Sequence, residues 1–95
     1  MSQHHFKLYV MGCSSRSSQA IDNLKRFCEE FMPSEYQLTI IDVLEDPKAA
    51  ELDKIFATPT LIKHQPPPVK RLVGDLTDQE QVSRMLDIAK SRVKQ

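Results

Sequence analysis

The chain has 95 residues, enough for one small domain that buries about two-thirds of the surface its unfolded chain exposes. Thirteen Lys and Arg residues balance thirteen Asp and Glu residues, so the net charge gives no indication of a nucleic-acid-binding or membrane-surface protein. No apolar run approaches the roughly 20 residues of a membrane span, and the polar start lacks a signal-peptide pattern. We therefore expect a cytoplasmic protein with a single domain over residues 1–95.

The first elements are a strand and a helix. Phe6–Met11 alternates apolar and amphipathic side chains and stops at Gly12, which predicts a first strand. From Ala20 to Phe31, apolar residues recur every three or four positions and form the stripe of a helix. Pro33 ends this helix.

A second strand and helix follow. Tyr36–Val43 is apolar and β-branched, which is typical of a buried strand, and we expect it at the centre of a sheet. Asp46 precedes Pro47 as an N-cap acid before a proline at the first helical position, which predicts a short helix that ends near Phe56. Its apolar positions are Ala49, Ala50, Leu52 and Ile55.

The remaining elements are a hairpin and a last helix. Thr60–Lys63 and Val69–Val73 predict two strands joined by the stiff turn Pro66–Pro68. Thr77–Glu80 has the spacing of a capping box. The helix after it has one apolar face, formed by Val82, Met85, Leu86, Ala89 and Val93. The predicted order is β-α-β-α-β-β-α, an α/β arrangement that matches the thioredoxin-like fold.

The loop after the first strand decides against thioredoxin chemistry. Thioredoxin-like enzymes have two cysteines, separated by two residues, where the helix N-terminus stabilises the attacking thiolate. Cys13 lies at the matching place, but Arg16 stands where the second cysteine would be, so the dithiol reaction is excluded. Arg16 would favour a Cys13 thiolate, which leaves a monothiol redox protein or thiol sensor as an alternative function. Cys28 lies in the helical stripe and is expected to pack in the core, with both thiols free.

Pro59 and the histidines have different expected roles. Pro59 stands where thioredoxin-like proteins commonly hold a cis-proline, so we predict a cis bond. His4 and His5 are adjacent near the start of the chain, and His64 is placed in the proline-rich turn. All three are expected at a solvated surface, so no metal and no cofactor are predicted.

Basic residues bracket the turn of the predicted hairpin. Lys63, Lys70 and Arg71 would gather positive charge at one end, a possible docking spot for an acidic partner surface. An ordinary solvated hairpin is the alternative.

Four sequence blocks go beyond the fold. They are Lys7–Val10 with Gly12, Ile41–Leu44 with Asp46-Pro47, Ala57–Leu61, and Pro66–Arg71 with Gly74–Leu76. In this order and spacing they resemble the KaiB circadian clock family, and the resemblance runs from about Phe6 to Ile88.

The resemblance implies a function and a set of partners. KaiB-like proteins are non-enzymatic regulators that bind the KaiC ATPase ring, compete with or recruit KaiA, and displace sensor histidine kinases. The partner-binding residues implied for this chain are Lys54, Lys63, Lys70 and Arg71. A KaiB-like regulator of a non-clock signalling or stress pathway is an alternative.

The resemblance also implies two folds. The family passes between a tetrameric ground-state fold and a thioredoxin-like monomer that binds KaiC, and the second half of the chain rearranges. Candidates for conformational control are Pro59, Pro66, Pro67, Pro68 and Met85. Family members often have glycine at the position of Met85, and glycine costs a helix about 1 kcal/mol. We therefore expect a helix over Arg84–Ala89, supported by Lys90, Arg92 and Lys94, and mainly the monomeric state, with the tetramer as the alternative.

Overall fold

The computed structural model describes residues 4–74 and 76–85, which form four strands and three helices. In chain order these are β1 (His4–Val10), α1 (Ser15–Phe31), β2 (Tyr36–Asp42), α2 (Pro47–Leu52), β3 (Thr60–Gln65), β4 (Lys70–Val73) and α3 (Gln79–Met85). The predicted order of elements is confirmed. The predicted helical positions beyond Met85, including Leu86, Ile88, Ala89, Lys90, Arg92, Val93 and Lys94, lie outside the described residues.

The four strands form one sheet in the order β2-β1-β3-β4. β1 runs parallel to β2 and antiparallel to β3, so that Leu8 pairs with Ile40 on one side and with Leu61 on the other. The prediction that Tyr36–Val43 forms a central strand is wrong, because β2 lies at the edge of the sheet. With a neighbour on one side, β2 leaves Ile40 38% exposed.

One face of the sheet forms the hydrophobic core with α1 and α3. Phe6 and Leu8 of β1 and Leu61 of β3 are at most 2% exposed and point to this face. The other buried residues of the cluster are Val10, Ala20, Leu24, Phe27, Cys28, Met32, Leu76, Val82 and Met85. The helical stripe predicted for α1 is therefore confirmed, with Ile21 and Phe31 at its partly buried margins.

The start of α2 agrees with the prediction, but the helix ends at Leu52 rather than near Phe56. The Asp46 carboxylate accepts a hydrogen bond from the Ala49 amide at 3.1 Å, and Pro47 occupies the first turn. However, no residue of α2 is buried, and Leu52 is 82% exposed. The apolar positions of this helix therefore do not form a buried side.

The cap of α3 differs by one residue from the prediction. The Asp78 carboxylate accepts hydrogen bonds from the amides of Glu80 and Gln81 at 3.1 and 3.2 Å. Asp78 rather than Thr77 therefore caps α3. Met85 is helical and buried, as expected. Over residues 4–74 and 76–85, no helix combines the length and apolarity needed to cross a membrane.

The predicted hairpin is confirmed by antiparallel pairing of β3 with β4. The Thr58–Pro59 bond is cis, as predicted, and the bonds Gln65–Pro66 and Pro67–Pro68 are cis as well. The Pro59 carbonyl accepts a hydrogen bond from the Gly74 amide at 2.9 Å. This contact joins the start of β3 to the end of β4.

Candidate docking surface

The second face of the sheet has polar and charged side chains around the buried Ile62. Lys7 pairs across the sheet with Ile62, and Ile62 pairs with Arg71. Directly paired residues point to the same face, and this face is opposite to that of Phe6 and Leu8 because neighbouring residues of a strand alternate. Tyr9 shares the face with Lys7 and is completely buried. The segment that follows α2 lies against this row.

Tyr9 anchors that segment through Asp53. Its hydroxyl donates a hydrogen bond to Asp53 Oδ2 at 2.5 Å and lies 3.2 Å from the Ala49 carbonyl oxygen. Lys7 Nζ is 3.5 Å from the same Asp53 oxygen. Burial, followed by the hydrogen bond to Asp53, raises the pKa of Tyr9 above its usual value, while the Tyr9 hydroxyl and then Lys7 lower the pKa of Asp53. The pair is therefore held as a phenol and a carboxylate.

Arg71 holds the backbone of the same segment. Its Nη1 donates to the Lys54 carbonyl at 3.1 Å, and its Nη2 donates to the Asp53 carbonyl. Lys54 has φ of 55°, a left-handed conformation that is uncommon for residues with a side chain. We call Lys7, Tyr9, Asp53 and Arg71 the polar clamp, because together they fix the end of α2 against the sheet.

Two large apolar side chains near the clamped Asp53 are highly exposed. Phe56 is 92% exposed, and with Ile55 and Lys54 it borders a groove of about 340 Å³ next to α2. Leu52, at the end of α2, is 82% exposed. We call Leu52, Lys54, Ile55 and Phe56 the α2 surface. Exposed apolar side chains of this size beside a cation are typical of an interaction surface rather than of a folded core.

The four predicted partner-binding residues do not lie together. Arg71 and Lys54 are in contact at the clamp, and the Lys54 side chain is exposed. Lys63 is 0% exposed and pairs with Phe6, so it points to the core face. Lys70 pairs with Lys63 and is partly buried. The cations of the hairpin are therefore divided between the two faces, because Lys70 and Arg71 are consecutive residues of a strand.

The two cysteines have opposite environments. Both are free thiols, as predicted; Cys13 is exposed in the turn before α1, and Cys28 is buried. Burial, with a smaller effect of Glu29, raises the pKa of Cys28 to about 12. Cys28 is therefore a packed core thiol. Next to Cys13, at the start of α1, the Ser14 hydroxyl accepts a hydrogen bond from the Ser17 amide at 3.1 Å.

The histidines are less exposed than expected. His4 and His5 lie in β1, and His64 lies in β3 rather than in the turn, and all three are partly buried. The expectation of a solvated surface is therefore wrong. His4 Nδ1 and His64 Nε2 are buried and form no hydrogen bond with the described residues. In the described part of the chain, no three His, Cys, Asp or Glu side chains are grouped to hold a metal ion.

The sequence alone does not single out Tyr9 and Asp53 of the polar clamp or Phe56 of the α2 surface. Tyr9 was part of an alternating strand pattern, and Phe56 marked the end of a helix. The position of Asp53 directly after α2 hints only weakly at a structural role. Its partner Tyr9 lies 44 residues away in the sequence, so local patterns do not reveal their contact. The register of the sheet was needed to find the clamp.

Comparison with known families identifies the chain. The KaiB domain model matches residues 7–88, most of the chain. The chain belongs to the KaiB family. It is 49% identical over 88 residues to circadian clock protein KaiB3 of Synechocystis sp., covering 93% of this chain and 86% of the relative. It is also 50% identical over 82 residues to circadian clock oscillator protein KaiB of Prochlorococcus marinus, covering 86% and 77%.

Comparison with solved structures shows the fold. The N-terminal domain of Synechococcus elongatus SasA superimposes with a TM-score of 0.75 at 24% identity, covering 95% of this chain and 89% of that domain. Mitochondrial thioredoxin 3 of Saccharomyces cerevisiae gives a TM-score of 0.73 at 12% identity, covering 93% and 81%. The thioredoxin-like class predicted from the sequence is therefore confirmed. The KaiB family relatives cited above are named as clock proteins, and neither name is that of an enzyme.

Proposed function

We propose that this KaiB-family protein is a non-enzymatic clock regulator of the cytoplasm that binds a KaiC-like ATPase ring through the α2 surface. Binding would in turn modulate the access of a KaiA-like protein or a sensor histidine kinase to the ring. The observation that carries this proposal is the exposure of Phe56 and Leu52 beside Lys54. Apolar anchors of this kind supply most of the affinity of protein interfaces, while a neighbouring cation improves orientation and association rate.

A binding role also agrees with the chemistry of the loop before α1. Arg16, in the first turn of α1, stands where a thioredoxin has its second cysteine, so the residues for a dithiol cycle are incomplete. The exposed Cys13 supports a second candidate, a monothiol redox protein or thiol sensor. The two candidates separate experimentally, because the proposed ring binding would not involve the Cys13 sulfur, whereas a thiol reaction would.

We further propose that the thioredoxin-like monomer is the binding-competent state and that a rearranged tetramer is the alternative state. The helical, buried position of Met85 supports the monomer, since the residue stabilises a helix and its side chain packs in the core. Pro59 and the turn Pro66–Pro68 remain candidates for conformational control. Lys63 would contact a partner only after a rearrangement that exposes it, because it is buried here.

Sedimentation velocity with a purified KaiC-like ring tests the proposal. The chain alone should sediment mainly as a monomer and, after incubation for several hours, should co-sediment with the ring at micromolar concentration. The long incubation allows for a slow fold change. A stable tetramer would contradict the monomer proposal, and absence of a complex with the ring would contradict the proposed partner. A complex with a histidine kinase but not with the ring would favour the non-clock alternative.

Matched variants locate the surface. Leu52→Gln should weaken ring binding about tenfold, since an exposed apolar anchor is lost. Val69→Gln removes an exposed valine, 58% accessible, from the turn of the hairpin and should leave binding unchanged. Equal effects of the two substitutions would show that the α2 surface is not the binding region.

A further inference from the structure

The contacts of Arg71 point to a role for this residue that differs from direct partner contact. Its guanidinium donates to the carbonyl groups of both Asp53 and Lys54, the residues that immediately precede Ile55 and Phe56. A planar guanidinium can bridge two acceptors in a fixed geometry, whereas an ammonium group acts as a point charge. Both terminal nitrogens of the Arg71 guanidinium are therefore engaged with the backbone of this protein.

The same segment is held from below by Tyr9. The phenol is completely buried and contacts the Asp53 carboxylate and the Ala49 carbonyl. The Asp53 amide donates to the Ala49 carbonyl at 3.1 Å. Asp53 therefore joins the end of α2 to β1 through its carboxylate and to β4 through its carbonyl. Because α2 has no buried side chain of its own, these contacts are what hold the helix against the sheet.

We propose that the polar clamp sets the position of the α2 surface and that Arg71 is a positioning residue, which promotes partner binding through the carbonyls of Asp53 and Lys54. This proposal rests on the proposed function. It predicts that the clamp reduces the conformational freedom lost on binding, because Leu52 and Phe56 are presented in one arrangement before the partner arrives.

Amide hydrogen exchange tests the clamp without any partner. The Lys54 amide donates to Glu51 at 3.1 Å and the Ile55 amide to Ala50 at 2.9 Å, so both report on the end of α2. Arg71→Ala should accelerate exchange of these two amides at least about tenfold, because local opening no longer has to break the hydrogen bonds of the guanidinium. Arg84→Ala, which removes an exposed arginine of α3, is the matched control and should leave them unchanged.

The absorbance of Tyr9 gives an independent signature. Tyr9 and Tyr36 are the two tyrosines of the chain, so Tyr36→Phe leaves the phenol of Tyr9 as the one that ionises. Burial raises the pKa of Tyr9 first and the Asp53 hydrogen bond second, with Asp46 adding to the shift and Arg71 opposing it. Adding Asp53→Asn should therefore move the ionisation to lower pH. An unchanged titration would show that the Tyr9–Asp53 contact is not formed.

The salt dependence of ring binding distinguishes positioning from direct contact. An ion pair with the partner weakens as the Debye length falls from about 10 Å at 0.1 M salt to about 3 Å at 1 M salt. The affinity ratio of wild type to Arg71→Ala, expected near tenfold, should stay constant over this range. The corresponding ratio for Lys54→Ala should shrink, and Arg71→Lys should not restore binding.

The outcomes are distinct. Unchanged exchange in Arg71→Ala, a ratio that collapses in high salt, or rescue by Arg71→Lys would each overturn the positioning role. If the wild-type protein binds no ring, the proposed function fails and the link of the clamp to docking fails with it. The exchange and absorbance measurements then still decide whether the clamp itself exists.

Discussion

The two faces of the sheet hold their helices in different ways. On the core face, Leu8 and Leu61 are 0% exposed and pack against α1 and α3 with other apolar side chains. On the opposite face, Tyr9 and Arg71 hold a helix that buries none of its own residues. Apolar packing gives stability without direction, whereas a few directed hydrogen bonds fix position. The comparison teaches that the core face carries the stability of the fold and the clamp face presents the α2 surface.

The largest expected effect is on the core face. Leu8→Ala should lower the free energy of unfolding by about 2–5 kcal/mol, since it removes buried methyl groups and leaves a cavity. Urea unfolding measures this loss. A loss below about 1 kcal/mol would show that the core face does not dominate stability. Chemical shifts of the α2 segment should change little, because α2 lies on the other face.

A second core-face variant tests the link between packing and fold. Met85→Gly should cost about 1 kcal/mol in helix propensity and a few kcal/mol more from the lost buried side chain. Urea unfolding of the variant measures the cost. If the chain exchanges between a thioredoxin-like monomer and a rearranged tetramer, as we propose, sedimentation should also detect more tetramer than in the wild type. A fully stable, monomeric variant would contradict both expectations.

The clamp face should contribute less stability but a distinct pH dependence. Tyr9→Phe should cost about 1 kcal/mol near neutral pH, the contribution of one hydrogen bond. Because the pKa of Tyr9 is raised in the folded protein, its stabilisation is present below pH 10 and is lost as pH rises further. The lowered pKa of Asp53 has the opposite sign, so its contribution is lost as pH falls below about 4.

Urea unfolding at several pH values measures this dependence. The decline in stability above pH 10 should be shallower in Tyr9→Phe than in wild type. The exposed hydrogen bond from Tyr36 to Glu29 at 2.6 Å also raises the pKa of Tyr36, to about 12, so the effect of Tyr9→Phe is measured against a Tyr36→Phe background. Equal alkaline profiles of wild type and Tyr9→Phe would contradict the clamp.

The smallest effect concerns the thiols. An alkylating reagent should modify Cys13 quickly in the native protein and Cys28 only when the core opens, because Cys28 is buried with its pKa raised to about 12. Mass spectrometry counts the modified thiols over time. Rapid double labelling of the native protein would show that the core face is not closed around Cys28.

Local patterns predicted the local features of this fold. The alternation of Phe6–Met11 predicted β1, and Asp46 before Pro47 predicted the start of α2, because a strand face and an N-cap depend on neighbouring residues. The edge position of β2 was not predictable in this way. Leu38 and Ile40 are equally apolar in a central or an edge strand, and only pairing between distant segments decides the order.

Only part of the candidate site was predictable, because its contacts also join segments that are distant in the sequence. Lys54 and Arg71 were identified from the family resemblance, and the structure brings them into contact. The role of Arg71 in the clamp depends on Tyr9 and Asp53, which are far apart in the sequence. Lys63 could not be recognised as buried, because its face depends on the register of β3 against β1.

One variant tests the division between the two faces most directly. Phe56→Ala removes a side chain that is 92% exposed, so the account predicts a change in unfolding free energy within about 0.5 kcal/mol. The same preparation should bind the KaiC-like ring at least about tenfold more weakly, because the largest apolar anchor of the α2 surface is lost. Unchanged ring binding with a clear loss of stability would contradict the account.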